Sequence, residues 1–74
     1  MRLIRIDPAR HIHRWYVVDV QATLLDRYAV VCSWGSLLTR YARWRSIPCE
    51  DETQAHRTAE RILQSKLRRG YRFS

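Results

Sequence analysis

The segment from residue 51 to residue 70 is typical of one amphipathic helix, and it constrains the fold more than any other part of the sequence. Asp51 is a good N-cap, Gln54 three residues later completes a capping-box pattern, and Gly70 is a natural stop. Apolar residues recur between them at helical spacing, at Ala55, Ala59, Ile62, Leu63 and Leu67. Since an isolated helix of this length is marginal in water, its apolar stripe must pack against the rest of the chain.

The preceding residues are typical of β-strands. Runs rich in aromatic and β-branched residues predict strands over residues 2–6, 14–22, 27–34 and 40–47. Asp7 and Pro8 begin a turn, residues 23–26 connect two strands, Gly35 and Ser36 begin a loop, and Pro48 ends the last strand. The sequence therefore predicts an α+β fold, a twisted antiparallel β-sheet meander of about four strands with one C-terminal α-helix packed on one face.

Alternation along the strands predicts which side chains reach the core. One face of the third strand is formed by Tyr28, Val30, Cys32 and Trp34. The two faces of the fourth strand are formed by Tyr41, Arg43 and Arg45 and by Ala42 and Trp44. We expect Trp15 and Trp44 to be core residues that pack under the helix. We also expect Cys32 and Cys49 to be buried thiols of a protein from a reducing compartment.

Net charge bears most directly on function. The 14 basic residues, of which thirteen are arginine, face seven acidic ones, and the formal net charge is +7. A basic domain attracts polyanions such as nucleic acid or an anionic membrane, and guanidinium groups hold phosphate bidentately. A biased genome composition is an alternative reason for the excess of arginine over lysine, but it does not explain the net charge.

The length of 74 residues predicts a single domain, residues 1–74, with a thin core, because a chain this short buries only about 60% of its unfolded surface. No Gly-rich phosphate loop, nucleophile elbow or apolar carboxylate pair is present. Cys32 falls on a strand, and His11 and His13 lack further ligands at a recognised metal spacing. We therefore expect a protein that is not an enzyme, with no metal and no cofactor.

No stretch of the sequence is apolar enough for a membrane span or a signal peptide. We expect a cytoplasmic protein with no membrane partner, associated with the nucleoid if it binds DNA.

Four short motifs together resemble a WGR domain. They are Trp34-Gly35, the segment Lys-Leu-Arg-Arg-Gly-Tyr-Arg at residues 66–72, Ile-Asp-Pro-Ala-Arg at residues 6–10, and Arg-Trp-Tyr at residues 14–16. The resemblance covers essentially the whole chain and is closest to short bacterial members of the family. It implies a DNA-contacting or docking domain like that of poly(ADP-ribose) polymerases. It also implies that Trp34 stacks on the sugar of a terminal nucleotide, with Gly35 allowing a sharp turn.

Two positions depart from the pattern of that family. Ser36 occupies the third motif position, where arginine is usual, and the glycine usually found shortly afterwards is replaced by Leu37-Leu38-Thr39. Ser36 can donate a hydrogen bond to a phosphate but cannot attract it from a distance. Arg40, Arg43 or Arg45 are the candidates to replace the missing charge.

The candidate binding residues each have a structural alternative. Trp34 is either a stacking platform or core filler at the end of a strand. The arginines Arg40, Arg43 and Arg45, with Tyr41 among them, either track phosphates or protect an exposed sheet edge from pairing. The cluster formed by Lys66, Arg68, Arg69 and Arg72 is partly explained by complementarity to the helix dipole.

Two functions fit these observations. The first is nucleic-acid binding, to DNA more readily than RNA, through sequence-independent phosphate contacts, at strand ends or nicks if the family mode applies. The second is docking on a protein partner through the loop from Trp34 to Leu38 and the basic helix, with no intrinsic nucleic-acid binding. Either function is compatible with a monomer or a weak homodimer.

Overall fold

The computed structural model describes residues 1–25 and 27–74, and these residues form a five-stranded antiparallel sheet and one helix. In chain order the elements are β1 Arg2–Asp7, a 3-10 turn at Pro8–Arg10, β2 Ile12–Ala22, β3 Tyr28–Ser36, β4 Ala42–Cys49, α1 Glu52–Arg68 and β5 Arg72–Phe73. The strands lie in the order β4-β3-β2-β1-β5. The predicted α+β meander with one C-terminal helix is thus confirmed, and β5 is a short additional strand. Asp26, at the end of the predicted connection 23–26, lies outside the described residues.

The core lies between α1 and one face of the sheet, which we call the helix face. The sheet contributes buried side chains from β1, β2 and β3, among them Leu3, Val18, Val30 and Cys32. The predicted stripe of α1 packs on them, with Ala55, Ala59 and Leu63 buried and Ile62 and Leu67 partly buried. Cys32 and Cys49 are both buried free thiols, as predicted.

Both ends of α1 have the predicted caps. The Asp51 carboxylate accepts a hydrogen bond of 2.7 Å from the backbone N–H of Gln54. The Gln54 side chain in turn accepts one of 2.6 Å from the N–H of Glu50. At the other end Gly70 has φ +96°, and the N–H of Tyr71 donates to the carbonyl of Lys66 at 3.1 Å. This 6→1 bond ends the helix in a Schellman motif, and it turns Tyr71 back onto the core.

Several predicted strand bounds are wrong. β1 continues through Asp7, β2 begins at Ile12, and β4 begins only at Ala42, so residues 40 and 41 lie in the preceding loop and not on a strand face. Gly35 and Ser36 belong to β3, because both still pair with β2, and the loop begins only after them. Pro48 does not end β4, which continues to Cys49. Proline is tolerated there because β4 is an edge strand, so a residue without an N–H leaves no neighbouring strand unpaired.

The prediction that Trp15 and Trp44 pack under the helix is also wrong. Trp44 is 72% exposed. By register, Trp15 pairs with Gly35, and Trp44 pairs with Ser33, on the face of the sheet turned away from α1. We call this the open face. The predicted alternation of these side chains is correct, but the sequence alone does not show which of the two faces the helix covers.

Among the described residues, no helix is long and apolar enough to cross a membrane.

Candidate functional site

A groove of about 630 Å³ opens on the helix face, beside the C-terminal end of α1. It is bounded by the start of β2, the end of β3, the middle of β4 and the loop of residues 37–41, which we call the tip loop. Its lining contains four aromatic residues, Tyr16, Trp34, Tyr41 and Tyr71, and three cationic ones, Arg14, Arg45 and Lys66. His11, His13, Gly35, Ser36 and Leu38 complete the lining, which includes no aspartate or glutamate among the described residues.

An aromatic stack forms the floor of this groove. Tyr16 and Trp34 face each other across the β2–β3 pair, with ring centroids 5.8 Å apart and planes 12° from parallel. Tyr71 meets Tyr16 edge-on, at 6.2 Å and 71°. Because Tyr16 is buried and Trp34 only half-buried, Tyr16 stacks on one side of the indole and leaves part of it open to the groove.

Lys66 extends its ammonium over the same stack. The Nζ atom lies 4.4 Å from the centre of the Tyr16 ring and 5.8 Å from that of Tyr71, both within cation–π range. It forms no ion pair or hydrogen bond with the described part of the chain. Partial burial lowers the pKa of Lys66, and the neighbouring charge of Arg69 lowers it further, followed by those of Arg45 and Arg14. Four cations thus repel one another at one end of the molecule, and among the described residues no carboxylate lines the groove to relieve this repulsion.

Tyr16 contributes no negative charge to this site. Burial, and after it the contact with the Cys32 side chain, raise the pKa of Tyr16 to about 12. The phenol therefore stays neutral throughout the physiological pH range, and the groove keeps its positive potential.

The tip loop is held by its own hydrogen bonds. Ser36 uses its backbone N–H to reach the carbonyl of Tyr41 at 3.2 Å, and its hydroxyl accepts a bond of 3.0 Å from the N–H of Leu38. Leu37 donates to the carbonyl of His13 at 2.8 Å, which anchors the loop to β2. Ser36 therefore orders the tip loop through both its backbone and its hydroxyl.

Gly35 is required by close packing and not by a turn. Its backbone lies outside the left-handed region and continues the strand. A Cβ atom at this position would overlap the carbonyl oxygen of Tyr41 and lie 2.9 Å from the indole of Trp15. The absence of a side chain lets the tip loop fold down over β3, and so it shapes the rim of the groove.

The structure brings together half of the predicted site residues. The groove is lined by Trp34, Gly35, Tyr41, Arg45 and Lys66. Two more lie next to it, since the Arg43 guanidinium is 5.8 Å from the centre of the Tyr41 ring and Arg69 lies near Lys66. Three do not line it. Arg40 is exposed in the tip loop, Arg68 is exposed in the last turn of α1, and Arg72 pairs with Ile4 at the far side of the sheet.

Several lining residues were not predicted as site residues, namely His11, His13, Arg14, Tyr16 and Tyr71. A signal for Tyr16 existed, because an antiparallel pairing of the second and third predicted strands brings it opposite Trp34. Tyr71 had none, since only the Schellman turn after Gly70 directs it toward the stack.

No group of three or more His, Cys, Asp or Glu side chains within residues 1–25 and 27–74 is arranged to hold a metal ion.

A small α+β domain with a groove that is aromatic at its floor and cationic at its rim has the form of a binding module for anionic ligands. Comparison with protein families matches the WGR domain over residues 1–74, and the chain belongs to this family. WGR domains are in general nucleic-acid-binding modules of proteins like the poly(ADP-ribose) polymerases, and they are not catalytic domains. Neither the comparison with curated proteins nor that with solved structures finds a match.

Proposed function

We propose that this domain binds DNA in the groove on the helix face, through phosphate contacts that do not depend on base sequence. The observation that carries the proposal is the position of Lys66, an ammonium without an ion pair among the described residues, held over an aromatic stack and next to three arginines. Placing an anion among these charges relieves their mutual repulsion, so the free energy of binding includes this relief.

The geometry of the groove supports a separate role for each group of lining residues. Lys66, Arg14 and Arg45 hold phosphate oxygens at the rim, with Arg43 and Arg69 adding long-range attraction. Trp34, with Tyr16 stacked on one side, offers its open surface to the sugar or base of one nucleotide. Stacking of this kind tolerates any base, because every base has a π-face. The 37–41 tip loop limits the groove at one end, which favours a strand end or a nick over continuous duplex.

Binding can be measured by fluorescence anisotropy of labelled duplex DNA at several salt concentrations. Neutralisation of about four phosphates gives a slope of about −3.6 in a plot of log affinity against log salt. Lys66→Gln removes one phosphate contact, so we expect weaker binding and a slope shallower by about 0.9.

Arg57→Gln is the matched control, since it removes one positive charge from an exposed position of α1 that does not line the groove. Its slope stays at the parent value if the proposal is correct. Equal slopes for the Lys66 and Arg57 variants would show that net charge and not the groove governs binding. A flat salt dependence of the parent protein would refute phosphate binding altogether.

The stacking role has its own test. Trp34→Ala is expected to lose about 1–3 kcal/mol of binding free energy while leaving the salt slope unchanged, because stacking releases no counterions. Blunt, nicked and circular duplexes of the same sequence then distinguish binding at strand ends or nicks from binding along continuous duplex. Preferential binding to ends and nicks supports insertion of one nucleotide into the groove, and equal binding to circular DNA contradicts it.

One observation favours docking on a protein as a second candidate function. Leu38 is 72% exposed and Leu37 37% exposed, and both lie in the tip loop beside Trp34. Apolar side chains at a loop tip mark protein contacts more than phosphate contacts. Leu37→Ser, at a tip-loop residue that does not line the groove, leaves salt-dependent DNA affinity unchanged if the domain binds DNA alone. Docking would replace DNA binding as the function if two results were found together. The parent protein would have no affinity for DNA at low salt, and the variant would lose binding to a protein partner.

A further inference from the structure

The open face of the sheet carries apolar side chains that the core does not use. Ile4, Ile6, Trp15, Val17, Val31 and Trp44 all lie on it by register. Trp44 is 72% exposed and Ile6 54% exposed, whereas the solvent side of an antiparallel sheet usually carries polar residues. A tryptophan in an edge strand contributes little to the stability of the fold when it lies in water. Its place on this face is explained if a ligand covers it.

Among the described residues, the charges of this face that lie outside any ion pair are positive. Arg2 and Arg72 lie at the β1–β5 side of the open face, both exposed, and neither forms an ion pair with any described residue. The one carboxylate that the strand register places on this face is Asp19, and it lies 3.2 Å from the N-terminal ammonium of Met1. The open face therefore has an apolar centre and an unbalanced positive margin.

We propose that the open face is a docking surface for an acidic protein segment with apolar side chains at its centre. The apolar side chains of the segment would cover Trp44, Val17 and Trp15, and its carboxylates would pair with Arg2 and Arg72. Tryptophan and arginine are the residues that most often dominate the energy of protein interfaces, and apolar centres with charged rims are typical of them.

Two other occupants fit the surface less well. A second copy of the chain also has a net charge of +7 and would bring Arg2 and Arg72 against the same residues or against other cations. Nucleic acid would satisfy the arginines, but the aliphatic side chains of Ile4, Ile6 and Val31 neither stack on bases nor donate hydrogen bonds to them. An acidic, apolar segment matches both parts of the surface.

This docking surface is independent of the DNA groove. The two lie on opposite faces of one sheet, so the domain can hold DNA on the helix face and a protein on the open face at the same time. Variants of the open face therefore test protein docking, and variants of the groove test DNA binding, independently of each other.

The test uses a short synthetic peptide with leucine and phenylalanine at its centre and glutamates at both ends, titrated into the full chain and followed by NMR. We expect changes in the chemical shift of the Trp44 indole N–H and of the backbone amides of the open-face residues in β1, β2 and β4. Two further peptides serve as probes of the chemistry, one with lysines in place of the glutamates and one with serines in place of the apolar residues. Both are expected to leave the spectrum unchanged.

Trp44→Ala is expected to weaken binding of the acidic peptide by about tenfold or more. It should leave the melting temperature and DNA affinity at parent values, since the side chain is mostly exposed and lies away from the groove. The control is Phe73→Ala, which removes another exposed aromatic, 53% exposed, that pairs with Leu3 on the helix face. It should bind the peptide as the parent does.

Several outcomes would overturn the inference. Shifts confined to Lys66, Trp34 and the tip loop would show that the peptide occupies the groove. Equal affinity of the Trp44→Ala and parent proteins, or tighter binding of the lysine peptide, would contradict docking of an acidic segment. Open-face shifts on dilution of the protein alone, or on addition of oligonucleotide, would assign the face to self-association or to nucleic acid.

Discussion

We expect Gly35→Ala to destabilise the domain strongly, although alanine is the smallest possible addition. In a strand interior alanine is ordinarily favoured over glycine by about 0.5–1 kcal/mol, because glycine loses more conformational freedom on folding. At position 35 the added Cβ would overlap the carbonyl oxygen of Tyr41 and lie 2.9 Å from the Trp15 ring. Neither atom can give way cheaply, since one belongs to the backbone and the other to a large, half-buried ring.

The expected magnitude follows from these opposing effects. Insertion of one extra carbon into a closely packed site costs up to about 3 kcal/mol. When the roughly 0.5–1 kcal/mol by which a strand favours alanine over glycine is subtracted, the free energy of unfolding is expected to fall by about 2 kcal/mol. For a domain of this size 1 kcal/mol corresponds to about 4–8 °C, so the melting temperature should fall by about 8–16 °C.

Thermal unfolding followed by circular dichroism measures this shift. Ser33→Ala, on the same face of β3 two residues earlier, is the control and should change stability by less than about 0.5 kcal/mol. Trp15→Leu in the Gly35→Ala background should restore part of the loss, because it relieves the ring contact but not that with the carbonyl. An unchanged or higher melting temperature for Gly35→Ala would refute the close approach of the tip loop to β3.

Other consequences of the structure can be tested in the same way. Asp51→Ala removes the hydrogen bond to the Gln54 N–H and should cost about 1 kcal/mol, whereas Asp51→Ser, which can still cap the helix, should lose much less. Leu63→Ala leaves a cavity under α1, and chemical denaturation should show a loss of about 2–5 kcal/mol with an unchanged m-value. An alkaline titration followed by ultraviolet absorbance should show one phenol ionising near pH 12, and Tyr16→Phe should remove that step. Since the pKa of Tyr16 is raised above its ordinary value of 10.0, its contribution to stability is fully present below pH 10 and is lost as the pH rises toward 12. If the parent protein and Tyr16→Phe unfold at the same pH between pH 10 and 12, this linkage is contradicted.

The helix could be predicted almost completely because its signals are local. The cap at Asp51, the stop at Gly70 and the apolar stripe between them each depend on residues within a few positions, and all are found in place. The strands were located for the same reason, but their ends were not. Pro48 ends a strand only if its N–H is needed for pairing, and that depends on whether a further strand lies beside β4, which is a property of the whole sheet.

The site was only half predictable, since it depends on which face the helix covers. The alternation of Arg43 and Arg45 against Trp44 was correct, but the assignment of Trp44 to the core was not. Apolar character favours the tryptophan face as the core, yet α1 lies on the other face and leaves the arginines beside its C-terminal end. Tyr16 and Tyr71 joined the site through pairing register and through the turn after Gly70, neither of which composition reveals.

Lys66 links the end of α1 to the groove in a way that restricts how this domain can vary. Its carbonyl accepts the bond that stops the helix, and its ammonium lies over the aromatic stack. Each residue added to or removed from α1 would rotate everything beyond it by about 100° relative to the part that packs on the sheet. One insertion would therefore carry Lys66 and Tyr71 away from Tyr16 together. Related chains should accordingly tolerate many substitutions along the outer surface of α1 but keep its number of residues constant.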